Sequence, residues 1–343
     1  MHKIVTWLAM AAFLFAPLAG NAAPAAPAER QPVRIEVPST RNLQFITLWV
    51  AVGAGFFQQE GLEPRILAAA APRNVGALLL KGDADVALLP PPMFLGMMAE
   101  EKPILLFASL LANEPINLVV RKDIADARKI GTGMSLNARL RAISGLRIGL
   151  AGEVAPRLRA LFASAGMNAD KDAQLVTVDG PNQVQALAAG SIDALFAHTP
   201  YLETVLVKQH AFLVADNSAG EVASLSEGQI HALATTRAEA AAKPELIAGV
   251  RRAVARALNL IHSDPKAAVD AIIASGAAGG ERAELETIIE IYGPAVPLTP
   301  QISLAGIERD AALYPAHPRA PDFAHVNAAD YVARAFTQNS ANP

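Results

Sequence analysis

The stretch Trp49–Leu67, WVAVGAGFFQQEGLEPRIL, and the one that answers it, LLLKGDADVALLP at Leu78–Pro90, decide the fold class. In the first, Ala51, Ala54, Phe56 and Phe57 supply the apolar side of a helix over Ile46–Gln59. Gln58, Gln59 and Glu60 make its wet end, and Gly61 is the left-handed stop before a short strand. The second repeats the plan: apolar residues from Val75 to Leu80, a stop at Gly82, and a buried strand over Val86–Leu89. Two strand–helix–strand units in a row predict a parallel sheet with helices packed on it, an α/β fold.

Working outward, Val33–Val37 alternates and reads as the first strand, with Pro38–Asn42 as the loop behind it. Ile104–Leu111 and Ile116–Val120 are apolar runs of strand length. Then the pattern resets. Strands are expected at Leu146–Leu150, Gln174–Val178, Ile192–Ala197 and Ala211–Ala215, alternating with helices at Pro156–Ser164, Asn182–Ala189 and Pro200–Gln209. Gly166 and Gly190 stand where the first two of those helices stop. A last strand over Ile230–Thr235 precedes long helices at Lys243–Ser263, Pro265–Ala274, Glu281–Tyr292 and Ser303–Leu313. The architecture is duplicated without a sequence repeat.

Composition bounds the function. At 343 residues and 52% apolar content, the chain can build two domains with sizeable cores. Met1–Ala22 has a basic start at His2 and Lys3, an apolar run over Ile4–Leu18 broken by Pro17, and small residues at Gly20 and Ala22. That pattern predicts a cleaved signal peptide, residues 1–22, followed by a disordered spacer, 23–32, rich in Ala and Pro. The run is shorter than the roughly 20 apolar residues of a membrane span. After cleavage 28 basic residues face 32 acidic ones, a net charge of −4, which excludes nucleic-acid binding driven by bulk charge. The absence of cysteine excludes disulfides, thiolate catalysis, Cys-ligated zinc and a lipid-modified N-terminal cysteine.

Motifs for chemistry are sparse. Gly53-x-Gly55 and Gly131-x-Gly133 lack the third glycine of a dinucleotide fingerprint, and no phosphate loop or nucleophile elbow occurs. The seven histidines never fall at metal-ligand spacing, so no metal site and no cofactor are expected. The informative positions are strand ends, because open parallel sheets bind ligands beyond the carboxyl ends of their strands. Ser39, Thr40 and Gln44 follow the first strand, Arg73 and Asn74 the second, and Pro90 the third. Asn113 lies between two apolar runs, Glu153 follows LRIGLA, and His198, Thr199 and Tyr201 follow IDALFA. Helix N-termini and Arg73 favour an anion, whereas Glu153 favours an amine or a ring N–H. Trp49 is a stacking platform or, on this helix, a core residue.

G-F-F-x-x-E-G-L-E at Gly55–Glu63, G-D-A-D-V-A at Gly82–Ala87 and AKPELIAGVRRAVARALNLIHSDPKAAVDAI at Ala242–Ile272 together resemble one family. It is the periplasmic substrate-binding proteins of ABC importers, in the nitrate, sulfonate, taurine and thiamine-pyrimidine-precursor group. The resemblance covers most of the chain after the leader. It implies a type II periplasmic-binding-protein fold, two Rossmann-like lobes joined by a two-strand hinge. Lobe 1 would take 33–115 and 225–335, lobe 2 would take 116–224, and 336–343 would be a tail. The helix over Lys243–Ser263 would return from lobe 2 to pack on lobe 1. The implied function is a monomeric, non-enzymatic periplasmic receptor. It closes on a small organic ligand, anionic or heteroaromatic, and delivers it to an ABC permease and its ATPase, meeting the membrane only through the permease. Two rivals remain. One is an enzyme like the thiamine-pyrimidine synthases, against which the missing cysteines and the leader both count. The other is a sensor subunit that presents ligand to a signalling kinase. One departure is Ile124–Ser144, longer than the family's turn and carrying or adjoining Arg128, Arg139, Arg141 and Arg147; it is expected to be a surface insertion.

Overall fold

The computed structural model describes residues 30–40, 42–277, 281–313 and 323–333. The expected signal peptide, most of the spacer and the tail lie outside the described residues. Ten strands occur among the described residues: β1 Gln31–Val37, β2 Leu62–Ala68, β3 Val86–Leu89, β4 Ile104–Leu111, β5 Asn117–Arg121, β6 Arg147–Leu150, β7 Gln174–Thr177, β8 Ala194–Ala197, β9 Ala211–Ala215 and β10 His231–Thr236. They form two five-stranded sheets, ordered β2-β1-β3-β10-β4 and β7-β6-β8-β5-β9. The first strand starts two residues earlier than expected, so the end of the expected spacer, Gln31 and Pro32, pairs with Leu62 and Glu63.

Both sheets have a parallel centre, β1 with β2 and β3, and β6 with β7 and β8. Each also holds one strand that runs the other way. β10 is antiparallel to β3 and β4, and β5 is antiparallel to β8 and β9. These two strands carry the chain that crosses between lobes. Period-two alternation sorts each strand between two cores. Val86 and Leu88 pack on one face with the helices Ile46–Gly53, Pro244–Ser263 and Pro265–Ala274. Ala87 and Leu89 pack on the other with Pro91–Ala99 and Leu304–Leu313. The helix over Pro244–Ser263 packs on the first lobe, as the resemblance implied.

The expected helix over Ile46–Gln59 is two helices, Ile46–Gly53 and Phe56–Gln59, because Gly55 between them has φ +70°. Gly61, Gly82, Gly166 and Gly190 are all left-handed, as expected of helix stops. Gly53 is required for a different reason. A Cβ there would lie 1.7 Å from the Ala271 carbonyl oxygen, so this helix packs on Pro265–Ala274 backbone to backbone. Trp49 is core, its ring N–H donating to the Asn42 carbonyl at 2.9 Å.

The segment 124–144 is more than a surface insertion. Ile130, Leu140 and Ile143 are buried in the core of the second lobe. Its arginines act as clamps. Arg128 donates to the Ala142 and Ser144 carbonyls, Arg139 to those of Val214 and Met134, and Arg141 to that of Ala165.

The fourth arginine belongs to a device present in both lobes. In β1, Arg34 holds Asp85 through Nε–Oδ2 at 3.0 Å and Nη2–Oδ1 at 2.9 Å, and its own N–H donates to Oδ2 at 2.8 Å. In β6, Arg147 holds Asp193 in the same way, at 2.9, 2.7 and 3.0 Å. In each case the aspartate stands three residues after the left-handed glycine, Gly82 or Gly190, and just before the central strand. Asp85 also accepts from Lys243 at 3.0 Å, which ties in the start of the long helix. Burial alone would raise the Asp85 carboxyl, but hydrogen bonds from Arg34 and Lys243 hold it well below the usual carboxylate range. Its contribution to stability is therefore full above the unfolded carboxylate pKa, near 4, and fades as the pH falls below that value. Removing one partner of a buried pair costs about 3–5 kcal/mol; Arg34 and Lys243 are more than a third exposed, so Asp85→Asn is expected to cost about 2–4 kcal/mol at pH 7. Urea unfolding should show that loss shrinking toward pH 3.

Candidate ligand-binding site

Strand direction brings one edge of each sheet to the place where the chain crosses between lobes. The C-terminal ends of β1–β4 and the start of β10 share one edge, since His231 pairs with Leu111 and Ala232 with Leu89. The C-terminal ends of β6–β9 and the start of β5 share the other, since Asn117 pairs with Ala197 and Leu118 with Ala215. The crossings, 112–116 and 216–230, lie between these edges. Side-chain amides stitch them together. Asn113 donates to the Ser218 carbonyl at 3.0 Å and accepts from the Glu227 N–H at 3.0 Å. Asn117 and Ser218 exchange bonds of 3.0 and 3.1 Å, and Asn217 donates to the Ile116 carbonyl at 2.6 Å. Gln229 is held by Asp310, which accepts its N–H at 2.7 Å, and by Ser109 and Ser303.

Polar groups converge at this place. Glu114, on the first crossing, pairs with Arg157 at 2.6 Å, and both are buried to 12% exposure or less. Arg157 stands in the first turn of the helix that follows β6. Burial raises the Glu114 carboxyl against the pull of the guanidinium. His198 follows β8. Its Nδ1 lies 2.6 Å from the Thr199 carbonyl, and its ring centroid is 5.4 Å from that of Tyr201. Tyr201 lies against Gly180, where a Cβ would come within 2.8 Å of the ring. His231 opens β10, 3% exposed, edge-on to Phe45, with its Nδ1 buried and unpartnered. Burial lowers both imidazoles, and the Arg157 charge lowers them further, His231 to about 3; both rings are neutral at pH 7.

A second polar group binds lobe to lobe. Thr199 N–H donates to the Tyr292 hydroxyl at 2.7 Å, and Tyr292 belongs to the helix Arg282–Tyr292. That helix packs on Tyr201–Val207 of the second lobe. Between them is Glu203, fully buried. Neither of its carboxyl oxygens has a hydrogen-bond partner at normal geometry, although Thr199 and Tyr292 face it. Burial pushes this carboxyl up to about 7.

The sequence-derived positions divide accordingly. His198, Thr199 and Tyr201 come together, Gln44 presents its carbonyl to the His231 ring, and Glu153, exposed in the turn Gly152–Val154, acts electrostatically on His198. Ser39 is half-buried and Thr40 exposed behind β1, and Pro90 caps the helix Pro91–Ala99. Asn113 has its amide engaged at both ends by the crossing. Arg73 and Asn74 are exposed on the turn Pro72–Asn74, where Arg73 makes no ion pair among the described residues. Sequence reading missed Arg157, His231, Glu203 and Tyr292. His231 had a usable signal, since it begins a strand that runs back toward the crossing. The others point inward from helices and had none.

A groove of about 580 Å³ lies at the opposite end of the second sheet, lined by Arg121, Leu187, Gly190, Val205, Lys208 and His210. Two helices, Gly180–Ala188 and Tyr201–Val207, end there, and its cations answer their C-terminal dipoles. Among the described residues no acidic, His or Cys cluster could hold a metal ion, and no helix is long and apolar enough to cross a membrane.

Comparison with known proteins fits this architecture. The chain has the two-lobed fold of periplasmic binding proteins. A structure from Bordetella bronchiseptica matches with TM-score 0.64 at 21% identity, over 89% of this chain and 95% of that one. The alkanesulfonate-binding protein SsuA of Xanthomonas axonopodis pv. citri, bound to MOPS, matches with TM-score 0.58 at 17% identity, over 83% and 91%. The periplasmic aliphatic sulphonate binding protein SsuA of Escherichia coli matches with TM-score 0.61 at 13% identity, over 82% and 90%. No functionally curated protein matches in sequence. The model of the family described as NMT1/THI5 like matches residues 42–268, and the chain belongs to that family.

Glu203 makes a prediction about pH. Its folded pKa of about 7 exceeds the unfolded value of 4.5, so the native state binds more protons between those values, and stability falls as pH rises through that window. The difference is roughly 3 kcal/mol at most. Asp310, also raised to about 7 by burial, adds a slope of the same sign. Glu203→Gln should remove about half of the combined slope between pH 4.5 and 7 in denaturant melts. An unchanged slope would show that Glu203 is ionised in the fold.

Proposed function

We propose that the chain is a non-enzymatic receptor that captures a small organic solute between its two lobes, in the periplasm, and delivers it as a monomer to an ABC permease and its ATPase. The observation that carries this reading is the junction itself. Two α/β lobes, each with a core of its own and a further core shared between them, meet where both crossings run, and buried polar groups from both lobes converge there. A His231 nitrogen left unpartnered at 3% exposure costs stability unless something external satisfies it. The family and the folds of the sulfonate-binding proteins support the same reading. A thiolate-dependent enzyme is disfavoured because the chain has no cysteine. Ligand contacts are assigned to Ser39, Thr40, Gln44 and Pro90 on one side and Glu153, His198, Thr199 and Tyr201 on the other, with His231 and Arg157 added from the structure. Arg73, Asn74 and Asn113 belong to the rim and the hinge.

Two measurements test this. Ligand found by thermal-shift screening should reduce the radius of gyration in small-angle scattering, as the lobes turn about the crossings. His198→Ala should weaken binding by about two- to tenfold, the value of one neutral hydrogen bond. Arg73→Ala should change it by less than about twofold, as expected of an exposed side chain outside the pocket. A ligand that binds without compaction, and whose affinity ignores His198, would refute the reading.

A further inference from the structure

We propose, resting on the cleft as the ligand site, that it selects an uncharged solute that donates hydrogen bonds, and that Glu114 is the residue that turns anions away. Three observations lead there.

The first is the state of the cation. Arg157 is the guanidinium buried at the junction, and Glu114 Oε2 lies 2.6 Å from its Nε. The charge that would hold a sulfonate or nitrate is thus answered from within the protein. A second anion beside Glu114 would meet a like charge at low exposure, where repulsion is least screened. Glu153 adds a further negative charge, exposed on its own turn, and Arg73 is exposed on the turn behind β2.

The second is the hydrogen-bond polarity of the two imidazoles. A carbonyl oxygen can only accept, so His198 Nδ1, 2.6 Å from the Thr199 oxygen, carries the proton, and Nε2 keeps its lone pair. His231 has the Gln44 carbonyl against its ring and an unpartnered Nδ1; we assign it the tautomer whose proton faces Gln44, which leaves the lone pair on Nδ1. From opposite lobes the site therefore offers two acceptors.

The third is what an anion would require. The imidazoles could turn donors toward an anion either by taking protons, which the neighbouring Arg157 charge opposes at both rings, or by changing tautomer, which at His198 would set a lone pair against the Thr199 carbonyl. A ligand with ring or amide N–H groups needs no such change.

The test uses the purified chain at pH 7.5, with thermal shift followed by titration calorimetry. Uracil, 2-pyridone and nicotinamide serve as uncharged donor probes, and ethanesulfonate and nitrate as anions. The wild type should be stabilised by at least one donor probe and by neither anion. Glu114→Gln, which removes the carboxylate charge beside the guanidinium, should gain at least tenfold in affinity for ethanesulfonate or nitrate. His231→Phe keeps the ring volume but lacks Nδ1, and should lose at least tenfold for the donor probe. If Glu114→Gln does not fold, the wild-type panel and His231→Phe decide. Wild-type binding of ethanesulfonate or nitrate in preference to every donor overturns this inference and leaves the receptor reading intact. So does a folded Glu114→Gln that gains nothing for either anion. Binding of no probe by the wild type also overturns it. Donor binding indifferent to both His231→Phe and His198→Ala overturns the inference and the location of the site together.

Discussion

The arginine–aspartate clamp, made once in each lobe, is the interaction on which the rest is hung. It joins β1 in one lobe and β6 in the other to the strand at the centre of the same sheet, through two side-chain bonds and one from the arginine's own N–H. Return bonds run from the aspartate N–H groups to the arginine carbonyls, at 2.9 and 2.8 Å. With both partners locked, the register of the parallel centre is set, and with it the positions of the carboxyl ends, where we propose that ligand is held. The clamps sit at the other end of each sheet. The lobes can therefore be rigid at their base while their facing edges stay available for chemistry.

That division explains the distribution of buried polar groups. Among those at the base, the clamp aspartates have both carboxylate oxygens paired, because they serve the fold, while Gln58 Oε1 and Glu239 Oε1 have no hydrogen-bond partner at normal geometry. Those at the junction are left partly unsatisfied: His231 Nδ1, Thr199 Oγ1 and both Glu203 oxygens. Isolated buried polar atoms cost roughly 1–3 kcal/mol each, and their concentration between two lobes marks a place kept for something other than stability. The crossings there are short and stitched by Asn113, Asn117 and Asn217.

Much of the fold was legible in the sequence because helix stops and strands carry strong local signals. Gly61, Gly82, Gly166 and Gly190 are left-handed where the pattern placed them. The break at Gly55 was not legible, since a lone glycine in a helical run is tolerated as often as it interrupts. Nor was the folding of 124–144 onto the core, where Ile130, Leu140 and Ile143 are spaced too irregularly to reveal a buried face. The clamp had left a trace, Gly-x-x-Asp at Gly82–Asp85 and again at Gly190–Asp193, but only pairing with β1 and β6 gives that spacing meaning. For the candidate site, strand-end logic singled out His198, Thr199, Tyr201 and Gln44, which the structure places at the sheet edges facing the crossings and whose placement depends on chain direction alone. Arg157, Glu203 and Tyr292 depend on which way a helix faces after two lobes have met, and nothing local encodes that.

The central claim is that solute binds where the crossings run and not elsewhere on the surface. Amide hydrogen exchange read by mass spectrometry, with and without a ligand that raises the melting temperature, tests it most directly. The account predicts slowed exchange in 38–46, 112–116, 152–158, 198–203 and 229–232, with the base of each sheet unchanged. Protection confined to 184–190 and 205–210, around the groove at the far end of the second sheet, would contradict it.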